Sequence, residues 1–108
     1  AGAGWVPYVL ERLQARYELL PHWSTHLKQT PEEYLATGNL FFSLDPDEKT
    51  LPAVADAIGS DRLIMGSDYS HWDGTAPESI RLLLNRSDIP EMLKKKILSH
   101  NPARLYKL

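Results

Sequence analysis

Apolar residues along this chain follow two different rhythms. Val6, Val9, Leu10, Leu13, Tyr17 and Leu20 recur at helical spacing, which predicts one long amphipathic helix near the start. Gly2 and Gly4 lead into it, Pro7 suits its first turn, and Pro21 stops it. Residues 21–30 keep no period and read as irregular. Thr30-Pro31-Glu32-Glu33 then predicts a short helix, with Thr30 as N-cap and Glu33 returning the bond; Gly38-Asn39 ends it.

The second rhythm is short and continuous. Leu40-Phe41-Phe42-Ser43-Leu44 and Arg62-Leu63-Ile64-Met65-Gly66 are largely apolar and do not alternate, which predicts strands covered on both faces, as in a parallel sheet. Between them, Asp45-Pro46-Asp47-Glu48 reads as a capped helix start; Leu51, Val54, Ala55 and Ile58 share one face, and Gly59 closes the helix. Residues 40–66 therefore read as a strand–helix–strand unit. A polar loop follows over 67–75. Thr75 and Glu78 are expected to cap a further helix buried through Ile80, Leu83 and Leu84. Asp88, Pro90 and Glu91 open a last one, with Ile89, Met92, Leu93 and Ile97 inward. Asn101-Pro102 is expected to end it, with Leu105 and Tyr106 folding back on the core. Two parallel strands leave sheet edges that need covering. Either the helices wrap an unusual small core, or further strands lie in sequence outside these residues.

Composition narrows the class. At 43% hydrophobic and 24% charged, the 108 residues are globular in character. They are too few for a complete (β/α)8 barrel, which takes about 250 residues. The net charge of −2 gives no basic surface for nucleic acid, and no apolar run is long enough to span a membrane. The absence of cysteine removes disulfides, thiolate zinc sites and a cysteine nucleophile, and fits a reducing, cytoplasmic setting. No phosphate-loop or nucleophile-elbow spacing occurs. The chain does not begin with Met and reads as a piece of a longer polypeptide.

Asp68 is the foremost chemical candidate. It lies just past the carboxyl end of a predicted parallel strand, the edge where α/β folds bind ligands. A carboxylate there suits a metal or a proton transfer, and equally suits a turn in which it satisfies backbone N–H groups. His71 shares the loop as a ligand, an acid–base group, a substrate contact or a solvated side chain. Trp72 either floors a substrate pocket or covers the core. Asp73, before Gly74, reads as turn chemistry, and Asp45 as a helix cap. His22 and His26 are four apart without a third ligand beside them, a weak metal signal. His100 suits a helix end, and Lys94-Lys95-Lys96 a solvated helix face.

Ile64-Met65-Gly66-Ser67-Asp68-Tyr69-Ser70-His71-Trp72-Asp73-Gly74 resembles the last-strand motif of amidohydrolase-related metal-dependent hydrolases, in the branch of aminocarboxymuconate semialdehyde and resorcylate-type decarboxylases. Gly2–Leu13 is similar to the segment after strand 6 of that family. Leu40–Glu48 resembles strand 7 and its exit, and Asn101–Tyr106 the usual chain end. The resemblance implies the C-terminal fragment of a TIM barrel, about strands 7 and 8 with flanking helices, filling residues 1–108 with no second domain. It implies a divalent metal, usually zinc, in the full-length parent, with Asp68 as the strand-8 aspartate that ligates it or orients its water. His71 and Trp72 match loop residues of the branch and are expected to contact substrate. Ser70 stands where many relatives have proline. The family's early His-x-His pair and mid-barrel histidine would lie upstream of Ala1, so the fragment alone is expected to bind no metal and to be inactive. The implied reaction is hydrolysis or non-oxidative decarboxylation of a small carboxylate; apolar strand edges and flanks exposed on a fragment are expected to make it self-associate as a homo-oligomer. Two other readings stand beside it: a non-catalytic helical interaction module derived from the family, and a site assembled from several copies using His22, His26 or His71.

Overall fold

A computed structural model describes residues 2–37 and 39–108. Helix α1 (Val6–Leu19) carries the expected apolar face, but only its first half is covered. Val6 is buried and Leu10 packs against the core, whereas Leu13 and Leu20 are 51% and 36% exposed. A 3-10 turn, Pro21–Trp23, follows. Helix α2 (Pro31–Ala36) has the reciprocal cap foreseen for it: the Glu33 N–H donates to Thr30 Oγ1 at 3.1 Å, and the Thr30 N–H to Glu33 Oε2 at 2.8 Å. Gly38, expected to end it, lies outside the described residues.

Strands β1 (Phe42–Leu44) and β2 (Leu63–Met65) pair in parallel, with Phe42 opposite Leu63 and Leu44 opposite Met65. They are shorter than expected and covered on one face only. Leu44 and Leu63 are fully buried among helix residues, with Phe42 and Met65 packed beside them. The other face carries Ser43, which is exposed, and Ile64, which is half-buried. The cause is the placement of the helices, whose buried apolar side chains join the cluster around Leu44 and Leu63.

Helix α3 (Leu51–Ile58) starts later than expected. Asp45 and Glu48 do not cap it; they accept backbone bonds from Gly2 and Ala3 instead. Leu51, Val54 and Ile58 are buried, and Gly59 ends the helix at φ +85°, a conformation that costs glycine little. In α4 (Ser79–Leu84) only Leu83 and Ser79 are buried; Ile80 and Leu84, expected inside, are 55% and 48% exposed. The Thr75 side chain caps no helix N–H; its hydroxyl meets Ser79 Oγ at 2.8 Å, and Glu78 pairs with Arg81.

The last helical stretch also departs from expectation. Helix α5 (Glu91–Lys95) runs through a π turn (Lys96–His100) into α6 (Asn101–Tyr106). Pro102 does not end the run, because it falls in the first turn of α6, where its missing N–H is tolerated. Buried Asn101 donates from Nδ2 to the Ser60 and Leu63 carbonyls, at 2.8 Å each, which fastens the helix beneath β2. Tyr106 stays 67% exposed rather than folding back. Asp88 caps nothing; it forks with Arg86, whose Nη1 also reaches the Pro46 and Glu48 carbonyls. Lys94 is buried rather than solvated and donates to the Leu84 carbonyl and Glu91. Lys96 reaches Ser60 and Asp61. No helix among the described residues is long and apolar enough to cross a membrane.

Candidate functional site

The polar loop after β2 is closed on itself by main-chain bonds. The Thr75 N–H donates to the Ser67 carbonyl at 3.1 Å, the His71 N–H to that of Asp68 at 3.0 Å, and the Gly74 N–H to that of His71 at 3.1 Å. Asp68 and Ser70 adopt positive φ, of 50° and 72°. Aspartate tolerates the left-handed region better than most residues because its short side chain bonds locally. Gly74 has no room for a side chain: a Cβ would press on the Asp68 carbonyl and stand 3.1 Å from that of Ser67.

This folding brings together what the two strand exits carry. Asp45 follows β1 and Asp68 lies three residues past β2, and both line one cleft of about 310 Å³ with Asp47, Ser67, Asp73 and Thr75. His71 Nδ1 is hydrogen-bonded to Asp73 Oδ1 and lies 3.6 Å from Asp68 Oδ2. The Asp73 carboxylate holds the imidazole above its ordinary range, chiefly through that bond. Reciprocally, His71 holds Asp73 below the usual carboxylate range. Trp72 covers no core: it is 89% exposed, its ring 6.0 Å from that of His71 and tilted by 34°. His22 and His26 lie exposed in the 3-10 turn and the turn after it, outside this cluster.

Donor atoms of Asp68, His71 and Asp73 lie within 4.8 Å of one another, the spread that a shared divalent cation needs. The chemistry fits a metal only in part. A ligating imidazole must present a lone pair, and His71 Nδ1 is already committed to Asp73 in a bond that favours the protonated ring. Asp68 and, through its other nitrogen Nε2, His71 remain as donors, and catalytic zinc takes about three. Among the described residues the cluster supplies part of a metal site rather than a whole one. Asp73 is the member that sequence reasoning assigned to the turn alone; the His-x-Asp spacing, which lets a tight turn bring the two side chains together, is the signal that marks it.

A search of curated proteins finds no significant match. Among solved structures, the chain is similar to the crystal structure of an amidohydrolase from Mycobacterium avium subsp. paratuberculosis K-10, with a TM-score of 0.77 and 25% sequence identity. The likeness covers 96% of this chain and 25% of that one, so these 108 residues span about a quarter of the length of the protein they match. The family described as "Amidohydrolase" matches residues 1–108 from end to end, and the chain belongs to the amidohydrolase family.

Proposed function

We propose that residues 1–108 form the C-terminal part of a metal-dependent (β/α)8-barrel enzyme, contributing about its seventh and eighth strands and flanking helices as one unit. The observation that carries this reading is the one-sided sheet. β1 and β2 are parallel, their helices gather on one face, and the opposite face carries Ser43 and Ile64 with little cover. A barrel strand has these two environments, helices outside and other strands' side chains inside. Both strand exits deliver aspartates to one cleft, at the end of the barrel where such enzymes work.

In this reading Asp68 is the catalytic and metal-binding carboxylate, and His71 and Trp72 contact substrate. A divalent ion, zinc in the first instance, supplies positive charge that polarises a substrate oxygen or makes water acidic. The remaining work belongs to the chain's own residues. The closed loop fixes Asp68 beside the cleft, where its carboxylate accepts or returns a proton. His71 meets the substrate's carboxylate, and the exposed Trp72 ring gives the loop an apolar surface against the rest of the substrate. The reaction is hydrolysis or non-oxidative decarboxylation of a small carboxylate, and the enzyme is a cytoplasmic homo-oligomer with no nucleic-acid partner.

The coding sequence upstream of residue 1 tests the reading directly. An apolar strand followed by His-x-His supports it; a start codon immediately before Ala1 overturns it. Assay of the 108-residue chain with added zinc tests the same point from the other side. No turnover of ester or carboxylate substrates is expected, and turnover abolished by Asp68→Ala would show a site complete without further strands.

A further inference from the structure

Resting on the reading above, we propose that Asp73 is the positioning residue for His71: it holds the Nδ1 proton of the imidazole, leaving Nε2 as the nitrogen free to hydrogen-bond substrate and Asp68 free for its own work. Two carboxylates stand within reach of Nδ1. Asp73 takes it in a hydrogen bond, whereas Asp68 Oδ2 lies 3.6 Å away, beyond hydrogen-bonding distance. No hydrogen bond among the described residues engages Nε2, and the His71 side chain is 54% exposed.

The backbone makes this choice rather than chance rotation. The bond from the Gly74 N–H to the His71 carbonyl closes a turn around Trp72 and Asp73, which puts the Asp73 carboxylate beside the ring two residues earlier. A second bond, from the His71 N–H to the Asp68 carbonyl, ties the same turn to the strand exit. The tilted Trp72 ring borders the imidazole on a further side. Without Asp73, nothing within hydrogen-bonding distance would hold the Nδ1 proton, since Asp68 Oδ2 lies 3.6 Å away, and the ring would revert to the form that carries its proton on Nε2, changing which nitrogen can accept a bond from a ligand. A histidine's two nitrogens are chemically distinct, and the partner of one decides the role of the other. An ordinary exposed ion pair is the competing account. Such pairs are screened by solvent, contribute little and fix no tautomer.

The two accounts separate in long-range proton–nitrogen NMR of the 15N-labelled 108-residue chain, at a pH where imidazoles are neutral, with His71→Gln identifying the signal. The expected wild-type ring is the Nδ1–H tautomer. Asp73→Asn keeps it, because a carboxamide oxygen accepts the same bond; Asp73→Ala shifts the ring to the Nε2–H form that an unpartnered imidazole prefers. An Nε2–H ring in the wild type, or an Nδ1–H ring that survives Asp73→Ala, overturns the proposal. Unchanged dispersion of the other amide signals verifies that each variant keeps its fold. The readout needs neither metal nor substrate, so its failure is distinct from failure of the enzymatic reading, which the upstream sequence decides.

Discussion

The Gly2 N–H donates to Asp45 Oδ2 at 2.9 Å, joining residues 43 positions apart. Beside it the Ala3 N–H donates to Glu48 Oε2 at 2.8 Å. The segment leading into α1 is thereby held at the exit of β1, next to the cleft. The approach is close: a Cβ on Gly2 would lie 2.6 Å from Glu48 Oε2. Hydrogen bonds to a charged acceptor contribute about 1.5–3 kcal/mol, and partial exposure puts these at the lower end. Glu48→Ala and Asp45→Ala are each expected to lower stability by about 1–2 kcal/mol, and the double variant by less than the sum, because both hold one segment. Urea denaturation of the three variants measures this.

Asn101 offers a sharper test of the core. Its side chain is almost fully buried and serves two carbonyls, those of Ser60 and Leu63. Asn101→Leu keeps the branched shape but removes the donor from both acceptors, the Leu63 carbonyl buried and the Ser60 carbonyl partly so. Each unsatisfied group costs about 1–3 kcal/mol, so a loss of about 2–4 kcal/mol is expected in chemical denaturation. A loss under 1 kcal/mol would mean that the two carbonyls find other donors.

Gly74→Ala is expected to disturb the site more than the fold. The new methyl would press on the backbone carbonyls of Asp68 and Ser67, which cannot yield as a flexible side chain can. The loop must open, loosening the bond from the Thr75 N–H to the Ser67 carbonyl. Amide exchange should quicken at Thr75 and His71 while the amides of α3 and β2 keep their protection.

Acid should weaken the contact between α5–α6 and the start of β2. The hydrogen bond from Lys96 holds the Asp61 carboxyl below its ordinary value of 3.8, helped by the positive charges of Arg104 and Arg62. A carboxyl whose folded pKa is depressed contributes stability that is fully present above its unfolded value and is lost as pH falls through the folded one. The contribution is therefore complete above about pH 4 and disappears below it. Asp61 is 57% exposed, so the effect is small and screened by salt. Asp61→Asn should flatten the acid limb of a stability–pH curve at low ionic strength and change little at high ionic strength.

Much of the architecture was legible because it is local. The α1 period, the Thr30–Glu33 capping box and the Gly59 stop are each written within a single element, the strand–helix–strand unit in three successive ones, and each forms. The failures depend on what each side chain meets once the chain is folded. Asp45 and Glu48 look like helix caps until Gly2 and Ala3 arrive from the other end of the chain. Pro102 looks like a terminator until a π turn and the Asn101 anchor carry the helix past it. Lys94 looks solvated until the Leu84 carbonyl and Glu91 receive it. In the site, position alone singled out Asp68 and His71, but the bond joining His71 to Asp73 depends on loop torsions that spacing does not specify.

The uncovered half of α1 should make the chain associate. Leu13, Leu20 and Trp23, with Tyr17 and Leu27, line an apolar groove of about 430 Å³, and Trp23 is 79% exposed. An apolar patch of this kind, rimmed by polar residues, marks an interaction surface more often than bare solvent contact. Sedimentation velocity is expected to show concentration-dependent self-association of the 108-residue chain. Leu13→Ser with Trp23→Ser should move the distribution toward monomer. Neither side chain belongs to the buried core, so the pair should cost little stability. The unpaired edges of β1 and β2 are the other sticky surface, since exposed strand edges recruit further strands. If association survives the α1 variants unchanged, those edges drive it. A chain that stays monomeric across the accessible concentration range would remove the homo-oligomer from the proposed function while leaving the Asp68 site untouched.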